Sequence, residues 1–367
     1  MPHLFSEFRL RDVAFMNRIG VSPMCQYSCD DGFANDWHFA HLAARAVGGA
    51  GLVFTEAAAV TLEGRISPHD LGAWTDQHFE PLERIARFLK GEGAVPGIQL
   101  AHAGRKGSVY RPWSGKGAVP EAEGGWRPVA PSPIAFGKGY ATPEELSVEG
   151  ILSLQQAFAT AAERAYAAGF RTIEVHAAHG YLIHQFLSPV SNVRADAYGG
   201  SFDNRTRFLR DCAAAVRRTL PESCPLIVRI SATDWTDGGW DLEQSIELCR
   251  RLKDLGVDLI DCSSGGNVES AKIPVGPGYQ VPFADSIRRQ ADIATAAVGM
   301  ISAPAQADQI IRNGEADMVL LARELLRDPY WPLRAARELG QPMSWPAQYL
   351  RAAPHDAPER VAAHEID

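Results

Sequence analysis

Lysine is scarce in this chain. Six of the 36 basic residues are lysine, the formal net charge is −8, and no basic block interrupts the 367 residues. A nucleic-acid surface needs such a block, so nucleic acid is not the expected partner. Cysteine is sparse too. Cys25, Cys29, Cys212, Cys224, Cys249 and Cys262 stand apart with no CxxC pair, which leaves no ligand spacing for a zinc site or an iron–sulfur cubane. No apolar run reaches membrane-spanning length, and the N-terminus carries no basic segment followed by an apolar core. A cytoplasmic protein with reduced thiols and no membrane partner is therefore expected. A G-x-G-x-x-G fingerprint following a strand is also missing: Gly49-Ala50-Gly51 precedes its strand and lacks the third glycine. That weighs against an open doubly wound sheet.

What the chain has is a repeat of pattern. A helix-like segment, a glycine and an apolar run recur at Gly48 to Gly51 before Leu52-Val53-Phe54, and at Gly91 to Gly93 before Val95 to Ile98. They return at Gly169 before Thr172-Ile173, at Gly256 before Leu259-Ile260, and at Gly314 before Met318 to Leu321. A glycine past a helix end stops the helix and releases the chain into a buried strand. Adding Arg18 to Ser22, Leu226 to Ile230 and Ile293 to Val298 makes eight strand candidates. Amphipathic segments, among them 152–168, 202–220 and 242–255, lie between them, the last with Asp241 and Gln244 as a capping box. Strands too apolar to face water, alternating with helices, predict a parallel sheet, and eight units favour a closed (β/α)₈ TIM barrel. A barrel needs about 250 residues, so a single domain over 1–351 leaves room for a Gly- and Pro-rich excursion at 103–147, after the third strand. The proline-flanked stretch 345–351 reads as an extended arm, and 352–367 as a flexible or loosely docked tail.

One stretch organises the chemistry. Thr172 to Val175 reads as a strand, and His176, His179 and Tyr181 follow around Gly180. Two imidazoles and a phenol at a strand mouth would grip a polar oxygen and deliver a proton. A metal pair, or two core histidines satisfied by backbone, is the plainer reading of the same spacing. The other strand ends of a barrel would add Ser22 to Tyr27, Ala57, Gln99, His102 and Arg229, with Lys106 just beyond strand three. Gly299 and Ala322-Arg323 fall on strands seven and eight, where barrels usually bind phosphate. Arg323 would otherwise pair with Glu324 or Asp328, and Arg229 would otherwise serve a structural salt bridge.

At these residues the chain resembles the old yellow enzyme family of flavin-dependent ene-reductases, over Phe5 to about Arg351. The resemblance rests on Pro23-Met24-Cys25-Gln26-Tyr27, Gln99-Leu100-x-His102-Ala103-Gly104-Arg105, and His176-Ala177-Ala178-His179-Gly180-Tyr181. Asp196 to Ser201, Val298-Gly299-Met300 and Arg323 to Pro329 complete it. Cys25, Tyr27 and the ending Gln348 to Arg351 look like the bacterial thermophilic-like branch with the xenobiotic reductases. The resemblance implies non-covalent FMN reduced by NADPH or NADH. Ser22, Pro23, Met24, Cys25 and Ala57 would line the isoalloxazine, Gln99 and Arg229 its pyrimidine end, and Gly299, Ala322 and Arg323 the phosphate. His176 and His179 would bind the carbonyl oxygen of an activated alkene, Tyr181 would protonate the α-carbon, and Tyr27 would bound the substrate. Arg351 would reach into a neighbouring active site in a homodimer or dimer of dimers, and no metal is implied. Ala322 departs from the glycine many relatives carry there.

Overall fold

The computed structural model describes residues 1–360. Eight parallel strands form the barrel: β1 (Ile19–Val21), β2 (Leu52–Ala59), β3 (Val95–Ala101), β4 (Thr172–Ala177), β5 (Leu226–Ser231), β6 (Leu259–Ser263), β7 (Ala294–Ala297) and β8 (Met318–Leu321). Each pairs with the next, and Leu320 opposite Gly20 closes β8 onto β1. The outer helices are α1 (Asp36–Val47), α2 (Phe79–Gly91), α3 (Val148–Ala167), α4 (Phe202–Thr219), α5 (Leu242–Asp254), α6 (Val281–Ala291), α7 (Pro304–Arg312) and α8 (Trp331–Glu338). The fold is the (β/α)₈ barrel that the glycine-punctuated repeat predicts. Gly49, Gly93, Gly169, Gly256 and Gly314 all lie at positive φ, between 69° and 98°, a region that favours glycine.

Strand parity divides the side chains. Ile173, Val175, Val228, Ile230 and Ile260 pack outward against the helices, while Leu52, Phe54, Val95, Ile227, Leu259 and Met318 fill the barrel floor. The N-terminal hairpin Phe8–Leu10/Val13–Phe15 stops the floor from below, with Leu10 and fully buried Phe15 in that same cluster. The apolar floor leaves the upper barrel for polar groups. Over the mouth, the 103–147 excursion is pinned to the loops after β4 and β6. Ser132 Oγ accepts from Val193 N at 3.0 Å, and Arg105 donates to Asn267 O at 2.7 Å.

Three sequence expectations change. The capping box at Asp241 is half formed. Asp241 accepts from Gln244 N at 2.9 Å, but the Gln244 amide nitrogen donates to the Asp241 carboxylate and to Gly239 O, and its oxygen does not accept from the Asp241 backbone. The arm is not extended throughout: after Trp345–Pro346, Ala347–Ala352 is a 3₁₀ turn. Pro346 sits before that turn, where its missing N–H costs nothing. The tail is anchored as far as Arg360. Glu359–Arg360 pairs with Trp345–Pro346, and the Arg360 guanidinium donates to Ala46 O, Val47 O and Ser344 O at 3.1 to 3.2 Å. A cation against the last carbonyls of α1 is favourably placed. The remainder of the tail, 361–367, lies outside the described residues.

Candidate active site

Above the floor, four polar side chains meet inside the barrel. Gln99 stands opposite Glu174, and Arg229 opposite Asp261. Gln99 Nε2 donates to Glu174 Oε1 at 2.6 Å, and Arg229 Nε lies 2.9 Å from Asp261 Oδ2. All four are buried. Burial, then the charge of Asp261, pushes the Glu174 carboxyl up to about 8, with Arg229 and Gln99 opposing. Burial likewise lifts Asp261 to about 6 against the pull of Arg229. One guanidinium thus faces two carboxyl groups, and burial shifts both toward their neutral forms. The structural salt bridge considered for Arg229 is thus real, and it lies among site residues. Sequence reasoning missed Glu174 and Asp261; the signal was an acid at an inward position of an otherwise apolar strand.

The next layer holds the histidines. His176 Nδ1 accepts the Ala178 N–H at 3.3 Å, which leaves the proton on Nε2, 3.4 Å from His179 Nδ1. His179 Nε2 lies 2.7 Å from Ser263 Oγ, and its backbone N–H donates to Ser231 Oγ at 2.9 Å. The chain turns through positive φ at both His179 and Gly180. A Cβ on Gly180 would stand 2.2 Å from Gly266 O, so no other residue fits. Lys106 Nζ ties the turn down by donating to His179 O and Gly266 O at 2.9 Å each. Burial, then the Arg229 charge, holds both imidazoles well below their usual range. They are neutral at pH 7. Tyr181 lies ring edge to His176, 5.1 Å between centroids, and burial raises its phenol well above the ordinary value. Among the described residues no cluster of three metal-ligating side chains occurs.

The loop after β1 faces this group. Ser22 is buried with its hydroxyl unpartnered. Gln26 N donates to Glu56 Oε2 at 2.8 Å, which holds the half-buried Cys25 and Tyr27 on either side. Burial, followed by Asp70 and Glu56, keeps Cys25 a thiol. Ala57, from β2, and Tyr181 line the same small recess. Tyr27 meets Trp113 of the excursion edge-on at 6.0 Å.

Across the mouth, a cavity of about 360 Å³ opens between Ser263, Gln280, Gly299, Met300, Ala322 and Arg323. Glu324 pairs with Arg327, and Asp328 with Arg334. The ion pair considered for Arg323 is therefore not made, and its exposed side chain stands at the cavity lip. Arg351, on the 3₁₀ turn, is exposed and away from any ion pair among the described residues. It does not join the other site residues.

The profile of the NADH:flavin oxidoreductase / NADH oxidase family matches residues 3–341. The chain belongs to that family. It is 51% identical over 350 residues to an NADPH dehydrogenase of Geobacillus sp. (strain WCH70), covering 95% of this chain and 98% of the relative. A solved old yellow enzyme homologue from Zymomonas mobilis superposes with TM-score 0.76 at 27% identity, over 92% of this chain and 93% of that one. A 2-naphthoyl-CoA reductase in complex with 2-naphthoyl-CoA gives TM-score 0.83 at 26% identity. That match covers 92% of this chain but only 52% of the reductase. The chain is an NAD(P)H:flavin oxidoreductase, an old yellow enzyme family member with FMN as cofactor. Its residues fit that group. The mouth offers the unpartnered Ser22 hydroxyl and a guanidinium inside the barrel, and the cavity at strands seven and eight, with Arg323 at its lip, would take a phosphate.

Proposed function

We propose that this oxidoreductase reduces activated C=C bonds of α,β-unsaturated carbonyl compounds. The observation that carries the reading is the convergence of two neutral imidazoles and a protonated phenol on one side of the barrel mouth. Ser22 to Cys25 and Ala57 would hold non-covalent FMN along its ring, Gln99 and Arg229 its pyrimidine end, and Gly299, Ala322 and Arg323 its phosphate. When bound, FMN supplies hydride taken from NADPH or NADH. His176 and His179 bind the substrate oxygen, which replaces the His176–His179 contact. With the His179 proton on Nδ1 and its Nε2 accepting from the Ser263 hydroxyl, both rings donate to the carbonyl as an oxyanion hole does. Tyr181 holds the proton destined for the α-carbon, while Tyr27 and the excursion bound the pocket.

Replacing His176 or His179 by Ala is expected to weaken 4-hydroxybenzaldehyde binding by about tenfold or more, the scale of a hydrogen bond to a charged group. Titration of the long-wavelength charge-transfer band measures it. Unchanged affinity in both variants would remove the pair from the oxygen site. Zinc co-purifying in a stoichiometric amount that depends on both histidines would favour the metal reading.

The assembly belongs to the same proposal. Arg351 sits exposed beside Tyr349, whose hydroxyl lies 3.2 Å from that of Tyr330. Aromatic and arginine residues are typical interface anchors. We assign Arg351 to the active site of a second copy in a two-fold dimer or dimer of dimers. Arg351→Ala should then raise KM for the alkene while FMN stays bound. A strictly monomeric protein in light scattering, with KM indifferent to the substitution, would refute the shared site.

A further inference from the structure

Gln99 has a terminal amide whose two ends differ: one donates, the other accepts. Only its nitrogen is engaged. Nε2 donates to Glu174 Oε1 at 2.6 Å, and among the described residues no donor bonds Gln99 Oε1. Glu174 is itself rigidly placed. It is fully buried on β4, with Ile173 and Val175 on either side locked into the helix-facing core. Its neighbour in the barrel, Arg229, is paired through Nε with Asp261, so Glu174 is not needed to neutralise it.

We infer that Glu174 is a positioning residue for the flavin: it fixes the Gln99 amide so that the carbonyl end, not the nitrogen, is presented to the cofactor. Burial raises the Glu174 carboxyl above its ordinary range. With its proton on Oε2, which has no partner among the described residues, the acid still offers Oε1 as a carbonyl acceptor to Gln99. Without it, the amide is free to turn over, and half of its orientations oppose a donor. The inference rests on the reading that Gln99 meets the pyrimidine end of FMN.

The test is a double-mutant cycle on the full-length holoprotein, read by the FMN dissociation constant from recovery of free-flavin fluorescence on dilution. Gln99→Ala and Glu174→Met are each expected to weaken FMN by about tenfold, the scale of one hydrogen bond. Together they should weaken it no more than Gln99→Ala alone, because the second residue acts through the first. Glu174→Gln restores a carbonyl acceptor and should return FMN affinity to within about threefold, since only the donor–acceptor pair matters here. Glu174→Ala, whose smaller side chain admits water, takes the place of Glu174→Met should that variant fail to fold. If Gln99→Ala weakens FMN while Glu174→Met and Glu174→Ala do not, the positioning role is wrong and the placement of Gln99 stands. If Gln99→Ala leaves FMN affinity unchanged, the placement itself is wrong. Additive losses in the cycle would also overturn the inference, since Glu174 would then act independently of Gln99.

Discussion

Tyr181→Phe is expected to leave FMN binding and reduction by NADPH within about twofold, while slowing reduction of 2-cyclohexenone by a factor of about 10² to 10⁴, the range for a positioned general acid. The phenol lies against His176, and burial raises its pKa, so its proton is present across the neutral range. Removing the hydroxyl deletes that proton without changing the ring that packs there. Only the step that forms the new C–H bond at the α-carbon should suffer. Each tenfold loss corresponds to about 1.4 kcal/mol of transition-state stabilisation. Single-turnover stopped-flow with separately prepared reduced enzyme distinguishes the two half-reactions. An unchanged rate with cyclohexenone would remove Tyr181 from the proton-donor role. An equal fall in both half-reactions would mean that the substitution had disturbed the site as a whole. Nitroalkenes are poor probes, because their reduced products take protons readily from water.

Much of this site was legible because a barrel gathers its strand ends. Knowing that Gln99, His176, Arg229, Gly299 and Arg323 follow apolar runs was enough to bring them to one mouth, whatever the details of the loops. Glu174 and Asp261 escaped notice for a physical reason. They lie within the strands, as Gln99 and Arg229 do, and the role of a buried acid shows only once its partner on the neighbouring strand is known. Period-two alternation did contain the information: Glu174 is two residues before His176 and shares its inward face. The C-terminal segment misled in the opposite sense. Pro346 and Pro354 argue for extended chain, yet the residues between them are free to curl. What settles their path is Arg360, which finds the carbonyls at the end of α1 more than three hundred residues away in sequence. No local pattern encodes such a contact.

Arg229→Leu should have the largest effect on stability. Its guanidinium lies 2.9 Å from Asp261 inside the barrel, with Glu174, His176 and His179 as further ionisable neighbours. Removing one partner of a buried pair leaves an uncompensated charge and costs about 3–5 kcal/mol. Both carboxyls already have folded-state values above the unfolded ones, Asp261 at about 6 and Glu174 at about 8. For acids shifted upward, the folded state binds more protons, so their contribution is fully present below the unfolded pKa and is lost as pH rises through the folded one. Arg229 opposes that rise in both groups; without it the folded values climb further and the loss on going to higher pH deepens. The variant is therefore expected to melt far below the parent at pH 8 and to recover much of the deficit near pH 5, where both carboxyls carry protons. Thermal unfolding followed by circular dichroism at the two pH values, with free FMN absent and then in excess, measures this. A deficit of equal size at both pH values would show that Arg229 contributes packing rather than charge. A variant as stable as the parent at pH 8 would mean that water or a neighbouring group already compensates Asp261.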